Sequence, residues 1–479
     1  MDNTGTCGKW RHLVQAYMDR VFPAAAYYAA LFFPVYAVYR QKVAVPTRWG
    51  SLLYLCAIGY FCVALVLLGA LFQKKSLPFR MLLWNLIWIA LTRLLFGGLA
   101  VLRESNFLRW SAVYTAAFAS LAYLRPKPRK LLLQLVTVEF SAVMAVWAVL
   151  GIATALVGHS VAGVSGIHMG NEGPLVFVQY FYMHRNITAS YFVFAIGLLL
   201  IQCAVCRKKW MWIPAALLVP LWYLSVALLH SRSCYLACAA LLMMTLYAFL
   251  REKLDWEKRW IGKGLGLCAL LVCVVLVYAT FNLSSSGLMA ATSGLRASAA
   301  AETAGNASAG AQEETILTVA DDRSTLEDAA TMSLRVGIWK AGIEVVRENP
   351  RIALLGELGG PGMKLVQLKE SVLQPSHMHN MLFEQMILSG IPGMLLYTVF
   401  LLALLWRIIC CYLGRRRETA LSVMAALLAS LMIFGMFEPL FGPFLTVSST
   451  LFCLTAGAFT QGFGEACGRS RRPVPAEKA

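Results

Sequence analysis

The chain has 479 residues, of which 59% are hydrophobic and only 14% are charged, and its formal net charge is +18. A soluble protein cannot remove that much apolar surface from water, so the composition predicts a protein that folds in lipid. The basic excess is then typical of the cytoplasmic loops of a polytopic membrane protein, and a nucleic-acid-binding function is excluded.

Apolar runs long enough to cross a bilayer recur along the whole chain. They lie near residues 23–38, 50–72, 81–101, 107–124, 131–157, 189–206, 210–228, 234–250, 262–282, 381–405, 418–437 and 443–462. We therefore predict an all-α polytopic membrane protein with about 12 transmembrane helices. An even number of helices places both ends of the chain on the same side of the membrane.

Lysine and arginine are unevenly divided between the two alternating sets of loops. The set that includes both ends of the chain carries 26 of them, whereas the short loops of the other set carry 7. The positive-inside rule therefore predicts that both termini are cytoplasmic. The resulting division is helices 1–9 in residues 1–282, a large external loop in 283–380, helices 10–12 in 381–462 and a cytoplasmic tail in 463–479.

The long external loop has two parts of different composition. Residues 283–330 are rich in Ser, Ala, Thr and Gly, which is typical of a flexible lid or linker. From Ser333 onward, apolar residues such as Ile338 and Trp339 recur at helical spacing among charged ones, which predicts an amphipathic helix. Asn349-Pro350 should end this helix, and its apolar face would let it lie across the outer mouth of the helix bundle.

The segment His377-Met-His379-Asn380 stands where this loop enters the next apolar run. A histidine at a water–lipid boundary can act as a general base, so His379 is a candidate catalytic residue. Asn380 could cap the following helix or hydrogen-bond a substrate. Two alternatives stay open: the histidines are only polar residues at the interface, or they are part of a metal site, for which the sequence offers no third ligand of obvious spacing.

Four further charged residues are candidates for a site at the outer face. Arg232, in the turn between two apolar runs, could bind a phosphate or a lipid headgroup. Arg335, in the amphipathic helix, is either a second phosphate ligand or a solvated charge. Arg93 lies inside an apolar run and Glu438 lies at the outer end of another, where ionisable groups usually face a cavity or a partner.

Together these segments resemble the O-antigen ligase and polymerase family of bacterial envelope glycosyltransferases. His379-Asn380 and, nine residues later, Gly390-Ile-Pro-Gly393 match the spacing of the family's re-entry motif, although Met394 replaces a frequent threonine. Ser231-Arg232 resembles the family's Ser-Arg at the outer start of a helix. Arg335-Val-Gly-Ile-Trp339 resembles its loop helix. The similarity covers about residues 225–400.

The resemblance implies a metal-independent, inverting transfer of a glycan from undecaprenyl diphosphate to a hydroxyl on lipid A core, on another glycan or on a protein. His379 would deprotonate the acceptor, Arg232 and Arg335 would bind the diphosphate, and His377 and Asn380 would contribute to substrate binding. The expected location is the bacterial inner membrane, among its lipids, with no cofactor. The sequence leaves ligase and polymerase unseparated.

A lipid-linked glycan flippase or a secondary transporter is the alternative from another functional class. Such proteins place polar residues near the middle of the bilayer and break helices at corresponding positions of two halves. Here the polar candidates cluster at the outer face instead, and only Arg93 lies clearly within a span. Convergence of Arg232, Arg335 and His379 around one site would favour the enzyme.

Overall fold

The computed structural model describes residues 12–40, 49–104, 107–157, 164–169, 175–180, 185–229, 231–254, 271, 275, 279, 325–357, 364–369, 377–413, 418–440 and 447–469. Its helices are α1 Phe22–Arg40, α2 Trp49–Leu71, α3 Leu77–Glu104, α4 Phe107–Ala122, α5 Pro126–Val157, α6 Arg185–Cys206, α7 Trp212–Leu228, α8 Arg232–Leu254, α9 Thr325–Glu348, α10 Pro350–Leu355, α11 Lys364–Lys369, α12 Met381–Leu413, α13 Thr419–Gly435 and α14 Val447–Arg469. The predicted helical fold is thus confirmed, and each predicted apolar run coincides with a helix, except 262–282, which lies almost entirely outside the described residues.

Six helices of the described chain are long and apolar enough to cross a membrane: Leu77–Phe96, Pro126–Leu156, Arg185–Cys206, Lys209–Leu228, Arg232–Glu252 and Met381–Leu413. The total of 12 spans stays a prediction. Helix α6 is the most enclosed of the six, with 89% of its apolar window buried. It packs against α5, α7, α8, α13 and α14, so its two ends mark the two ends of the bundle.

The segment between α5 and α6 contains a short antiparallel hairpin, which the sequence analysis did not predict. Strand β1 (Val164–Met169) pairs with β2 (Leu175–Tyr180), and Val164 lies opposite Tyr180. Residues 170–173 read Gly-Asn-Glu-Gly, a sequence that favours a tight turn, and β2 is rich in residues that favour strands. Hydropathy over a membrane-length window does not resolve so short a pattern.

Helix α9 begins earlier than the sequence predicted. The apolar spacing placed its start at Ser333, but the helix already runs from Thr325, so residues 325–330 are not part of the predicted linker. Residues 283–324 lie outside the described part of the chain. The helix ends at Glu348 and α10 starts at Pro350, as Asn349-Pro350 predicted. The apolar face of α9 packs in a small core with Val366, Met378 and Ile387, which ties it to the start of α12.

A kink in α12 explains the two glycines of the re-entry motif. Gly390 has a left-handed φ of 69°, and the following Pro392 lacks an N–H, so the helical hydrogen bonds are interrupted here. Helix α3 supplies replacements: Trp88 Nε1 donates to Ser389 O at 2.8 Å, and Asn85 Nδ2 donates to Gly393 O at 2.7 Å. These bonds satisfy backbone groups that lipid could not.

Helices α9 and α10 dock on the other side of the same kink. The backbone N–H of Glu357 donates to Ile387 O at 2.7 Å, and Gly356 beside it has a φ of 77°. A Cβ added to Gly390 would lie 2.5 Å from Leu354 O, and one added to Gly356 would lie 2.6 Å from backbone atoms of Leu388. The two left-handed glycines therefore let the backbones of α10 and α12 touch, and this contact fixes α9 over the start of α12.

Candidate active site

Glu438, three residues beyond the end of α13, joins four segments of the chain. Its carboxylate is buried, with 1% of the side chain exposed. One oxygen, Oε1, accepts a hydrogen bond from Asn186 Nδ2 at 2.5 Å and lies 3.2 Å from Arg335 Nη2. The other, Oε2, lies 3.5 Å from Nδ1 of His379. The starts of α6 and α12, helix α9 and the end of α13 thus meet at one acid, a site-facing position that the sequence analysis considered for Glu438.

Two arginines, Arg185 and Arg335, interact electrostatically with this acid, and a third, Arg232, interacts with those two arginines. Arg185 is the first residue of α6, and its charge also interacts with Arg335. The starts of α6 and α8 are held together because Cys234 Sγ donates to the backbone oxygen of Asn186 at 3.2 Å. Arg335 and His379 thus contact the same carboxylate, and Arg232 lies within electrostatic range of Arg335.

The sequence analysis did not select Arg185. The feature that could have revealed Arg185 is the one it shares with Arg232. Both arginines are the first residue of an apolar helix at the same end of the bundle. With His379 neutral, three guanidinium groups and one carboxylate leave an excess of two positive charges. Guanidinium groups bind phosphate oxygens in a bidentate way, so this cluster suits an anion of about two negative charges.

The backbone holds His379 in an unusual conformation. Its φ of 48° is left-handed, which costs a non-glycine residue roughly 1–2 kcal/mol. Its N–H donates to Nδ1 of His377 at 3.2 Å, and the centres of the two imidazole rings are 3.9 Å apart. The His379 side chain keeps 22% of its surface exposed. Strain of this kind persists only where neighbouring contacts determine the backbone, and it clusters at functional sites.

Those neighbouring contacts come from both sides of His379. The N–H of Met378 donates to Glu384 Oε2 at 2.8 Å, and the Met378 carbonyl accepts from Trp339 Nε1 at 2.8 Å. Asn380 caps α12, because its Oδ1 accepts from the backbone N–H groups of Leu382 at 2.8 Å and Phe383 at 3.2 Å. Helix α9 and the first turn of α12 together therefore fix the residue between them.

The Asn380 side chain is also anchored on its other end. Its Nδ2 donates to Met436 O at 2.9 Å, close to Glu438 in sequence, and the side chain is buried. The capping role that the sequence suggested is thus present. Because both ends of the amide are engaged, we assign Asn380 to positioning His379 relative to Glu438 and retain direct substrate contact only as a secondary hypothesis.

His377, His379 and Glu438 also meet the geometric requirement for a metal site, since their ligand atoms all lie within 4.8 Å of one another. Glu438 is the third ligand that the sequence spacing did not reveal. The chemistry of this donor set fits a cation poorly. Glu438 Oε1 already binds Arg335 and Asn186, and the surrounding arginines repel a divalent ion through the low-dielectric site. The arrangement favours an anion.

Arg93 is the remaining charged residue that the sequence analysis selected. It is buried on α3, with 1% of its surface exposed, and within the described residues its Nε and Nη1 atoms have no hydrogen-bond partner. None of its described contacts reaches Glu438. A role for Arg93 at the site stays a prediction.

Residues 216–398 match the family described as O-Antigen ligase. This match covers less than half of the chain and supports the resemblance to the O-antigen ligase and polymerase family. The matched segment runs from α7 into α12 and contains Arg232, Arg335, His377, His379 and Asn380. Arg185 and Glu438 lie outside it and enter the site through the fold. A comparison with curated proteins found no match.

Proposed function

We propose that this protein is a membrane glycosyltransferase that moves a glycan from undecaprenyl diphosphate to an acceptor hydroxyl, without a metal and with inversion. The observation that carries the proposal is the position of Glu438, whose two oxygens face Arg335 and His379. A base and an anion-binding group are thereby held on either side of one carboxylate, which is the arrangement that a displacement at a sugar carbon requires.

The diphosphate of the donor would bind to Arg232 and Arg335, with Arg185 as a third ligand. Their excess positive charge matches the charge that grows on the diphosphate as the sugar leaves. Fixed cations that face a developing charge stabilise the transition state without having to reorganise. In phosphate chemistry a divalent metal ion often has this function. The arginines would thus fill that role.

His379 would act as the general base. As the acceptor oxygen forms its bond to the sugar carbon, the bond from that carbon to the diphosphate oxygen breaks, and the acceptor proton passes to the imidazole. Nδ1 of His379 faces Glu438, so the exposed remainder of the ring would meet the acceptor. The carboxylate would then stabilise the imidazolium as it forms, as the acid of a catalytic triad does. His377 and Asn380 would hold the segment in place.

The topology that accompanies this proposal is the one predicted from charge, with both termini cytoplasmic in a bacterial inner membrane. Its support is that the Glu438 cluster lies at one end of α6, whereas Arg207 to Lys209 follow the other end. Residues 1–282 and 381–462 would then be the membrane helices, 283–380 the external loop and 463–479 the tail. The acceptor, whether lipid A core, a glycan or a protein, would approach from outside.

The alternative, a flippase or secondary transporter, would use the break in α12 at Gly390 as part of a substrate path. Against it, the carbonyl groups of Ser389 and Gly393 bind Trp88 and Asn85 of α3. They are structural contacts, and they leave the re-entry site as the better candidate for chemistry.

The test compares wild type, His379→Ala and the exposed control His12→Ala in the native host at matched membrane levels. We expect the His379 variant to lose finished glycan and to accumulate lipid-linked donor on the outer face, while the control matches wild type. Normal glycan output from His379→Ala would refute the assignment of the base. Donor trapped on the cytoplasmic face would favour the flippase. The chain length of the wild-type product would separate polymerase from ligase.

A further inference from the structure

A cavity of about 990 Å³ lies between α6, α7 and α8. Its walls are mostly apolar and include Leu200, Ala204, Leu242, Leu246 and Phe249. These residues belong to the last halves of α6 and α8, whereas Arg185 and Arg232 open the same two helices. Since α7 and α8 contact each other less than either contacts α6, the cavity is a gap between them with α6 as its floor. It is thus separate from the Glu438 cluster.

The mouth of the cavity is charged. Arg207 lines it directly, has a left-handed φ of 53° and forms an ion pair with Glu252 at 3.0 Å. Glu252 also accepts a hydrogen bond from the Thr419 hydroxyl. Lys208 and Lys209 follow Arg207 and are exposed. Arg207 and Glu252, the charged residues of the lining, neutralise each other, and the adjacent Lys208 and Lys209 add positive charge beside the mouth.

Aromatic residues mark the same level of the bundle. Trp212 lines the cavity and meets the ring of Phe249 edge-on, with ring centres 5.2 Å apart. The neighbouring Trp210 is 59% exposed. Tryptophan, lysine and arginine are enriched where a bilayer meets water. The charged mouth therefore lies at the membrane surface, and the apolar interior extends from it into the hydrocarbon layer.

We infer that this cavity binds an anionic glycerophospholipid of the adjacent leaflet. Its acyl chains would occupy the apolar interior, and its phosphate would lie against Lys208 and Lys209 at the mouth. The lysines beside the mouth favour an anionic headgroup, and the volume and apolar walls of the cavity favour a lipid over a free phosphate. The site goes beyond the proposed transferase function, whose diphosphate would bind at the opposite ends of α6 and α8.

Delipidated full-length protein, incubated with phosphatidylglycerol or phosphatidylcholine and examined by native mass spectrometry, tests the inference. We expect wild type to retain one phosphatidylglycerol in preference to phosphatidylcholine. A basic side chain near a phosphate contributes roughly fivefold in affinity, so Lys208→Glu with Lys209→Glu should lower this retention by about tenfold or more. The matched control is Lys127→Glu with Lys130→Glu, two exposed lysines at the start of α5.

Leu246→Trp, which fills the cavity without changing its charge, should lower retention of phosphatidylglycerol as well. Equal retention of the two lipids by wild type would overturn the inference, as would an equal loss in the Lys127 and Lys130 control. Unchanged retention by Leu246→Trp would place the lipid elsewhere. Displacement of the lipid by an equal concentration of undecaprenyl phosphate would assign the cavity to a polyprenyl chain and would also overturn it.

Discussion

Replacing Glu438 with glutamine separates the two roles that the site gives to this carboxylate. The substitution keeps the size of the side chain and an oxygen that can accept from Asn186, but it removes the negative charge that faces both His379 and Arg335. If the proposed mechanism is correct, the variant loses stabilisation of the imidazolium that forms during transfer, while the arginines keep their ability to bind a diphosphate.

The size of the effect follows from the distance. Unit charges 3.5 Å apart interact by about 1 kcal/mol at the dielectric constant of water and by about 5 kcal/mol at an effective value near 20. The 22% exposure of the His379 side chain admits screening water, which favours the lower part of this range, about 1–3 kcal/mol. The expected loss in kcat is therefore roughly 5- to 150-fold.

The assay is transfer by purified protein from donor extracted from the native host, with kcat and the KM for donor measured separately. We expect kcat to fall and the donor KM to stay the same or fall, because removal of the carboxylate leaves the arginines a stronger attraction for the diphosphate. Glu465→Gln is the matched control, because it breaks another arginine–carboxylate pair, to Arg129 at 2.6 Å, away from the site. It should leave both constants unchanged.

Two results would refute the reasoning. If kcat were unchanged in Glu438→Gln while His379→Ala abolished transfer, Glu438 would give the base no assistance. If the donor KM rose strongly with kcat intact, the carboxylate would serve only to place Arg335.

Three further substitutions test the supports of the site. Gly390→Ala forces a left-handed backbone and a steric clash, so it should lower stability by about 2 kcal/mol or more and the melting temperature with it, whereas Gly464→Ala, where a Cβ meets nothing within 4 Å, should be tolerated. Asn85→Ala leaves the carbonyl of Gly393 without its donor and should cost about 1–3 kcal/mol in chemical denaturation. Asn380→Ala removes a helix cap worth about 1 kcal/mol and should lower kcat beyond that cost in stability, which a comparison at equal folded fraction would detect.

The sequence could predict the helices and the local motif, because both depend on residues that are close together along the chain. Lipid forces the backbone into helices, so apolar length alone locates them. The motif from His379 to Gly390 is short, and it lies at the start of α12. Helix α9 shows the limit of the approach: residues 325–332 lack the apolar spacing that revealed the rest, and the helix start was placed too late.

The assembly of the site could not be predicted, because its contacts cross large distances in the chain. Arg335 and Glu438 are 103 residues apart, and Asn186 and Glu438 are 252 apart. Nothing local to Arg185 distinguishes it from other arginines that begin apolar helices. Glu438 could not be recognised as a third potential metal ligand because it is distant in sequence from His377 and His379. Only the structure showed that the arginines around it favour an anion.

The two contacts of Glu438 offer a reason why a site proposed to bind an anion would retain a buried acid. A carboxylate among arginines weakens their pull on a diphosphate, so binding alone would favour its loss. Its second oxygen faces His379, however, and a base that must become a cation beside Arg335 would otherwise meet only repulsion. The carboxylate would offset that repulsion at His379, which accepts the proton, and the arginines would stabilise the departing diphosphate. On this proposal the buried charge of Glu438 allows proton transfer to His379 and departure of the diphosphate to take place in the same strongly positive site.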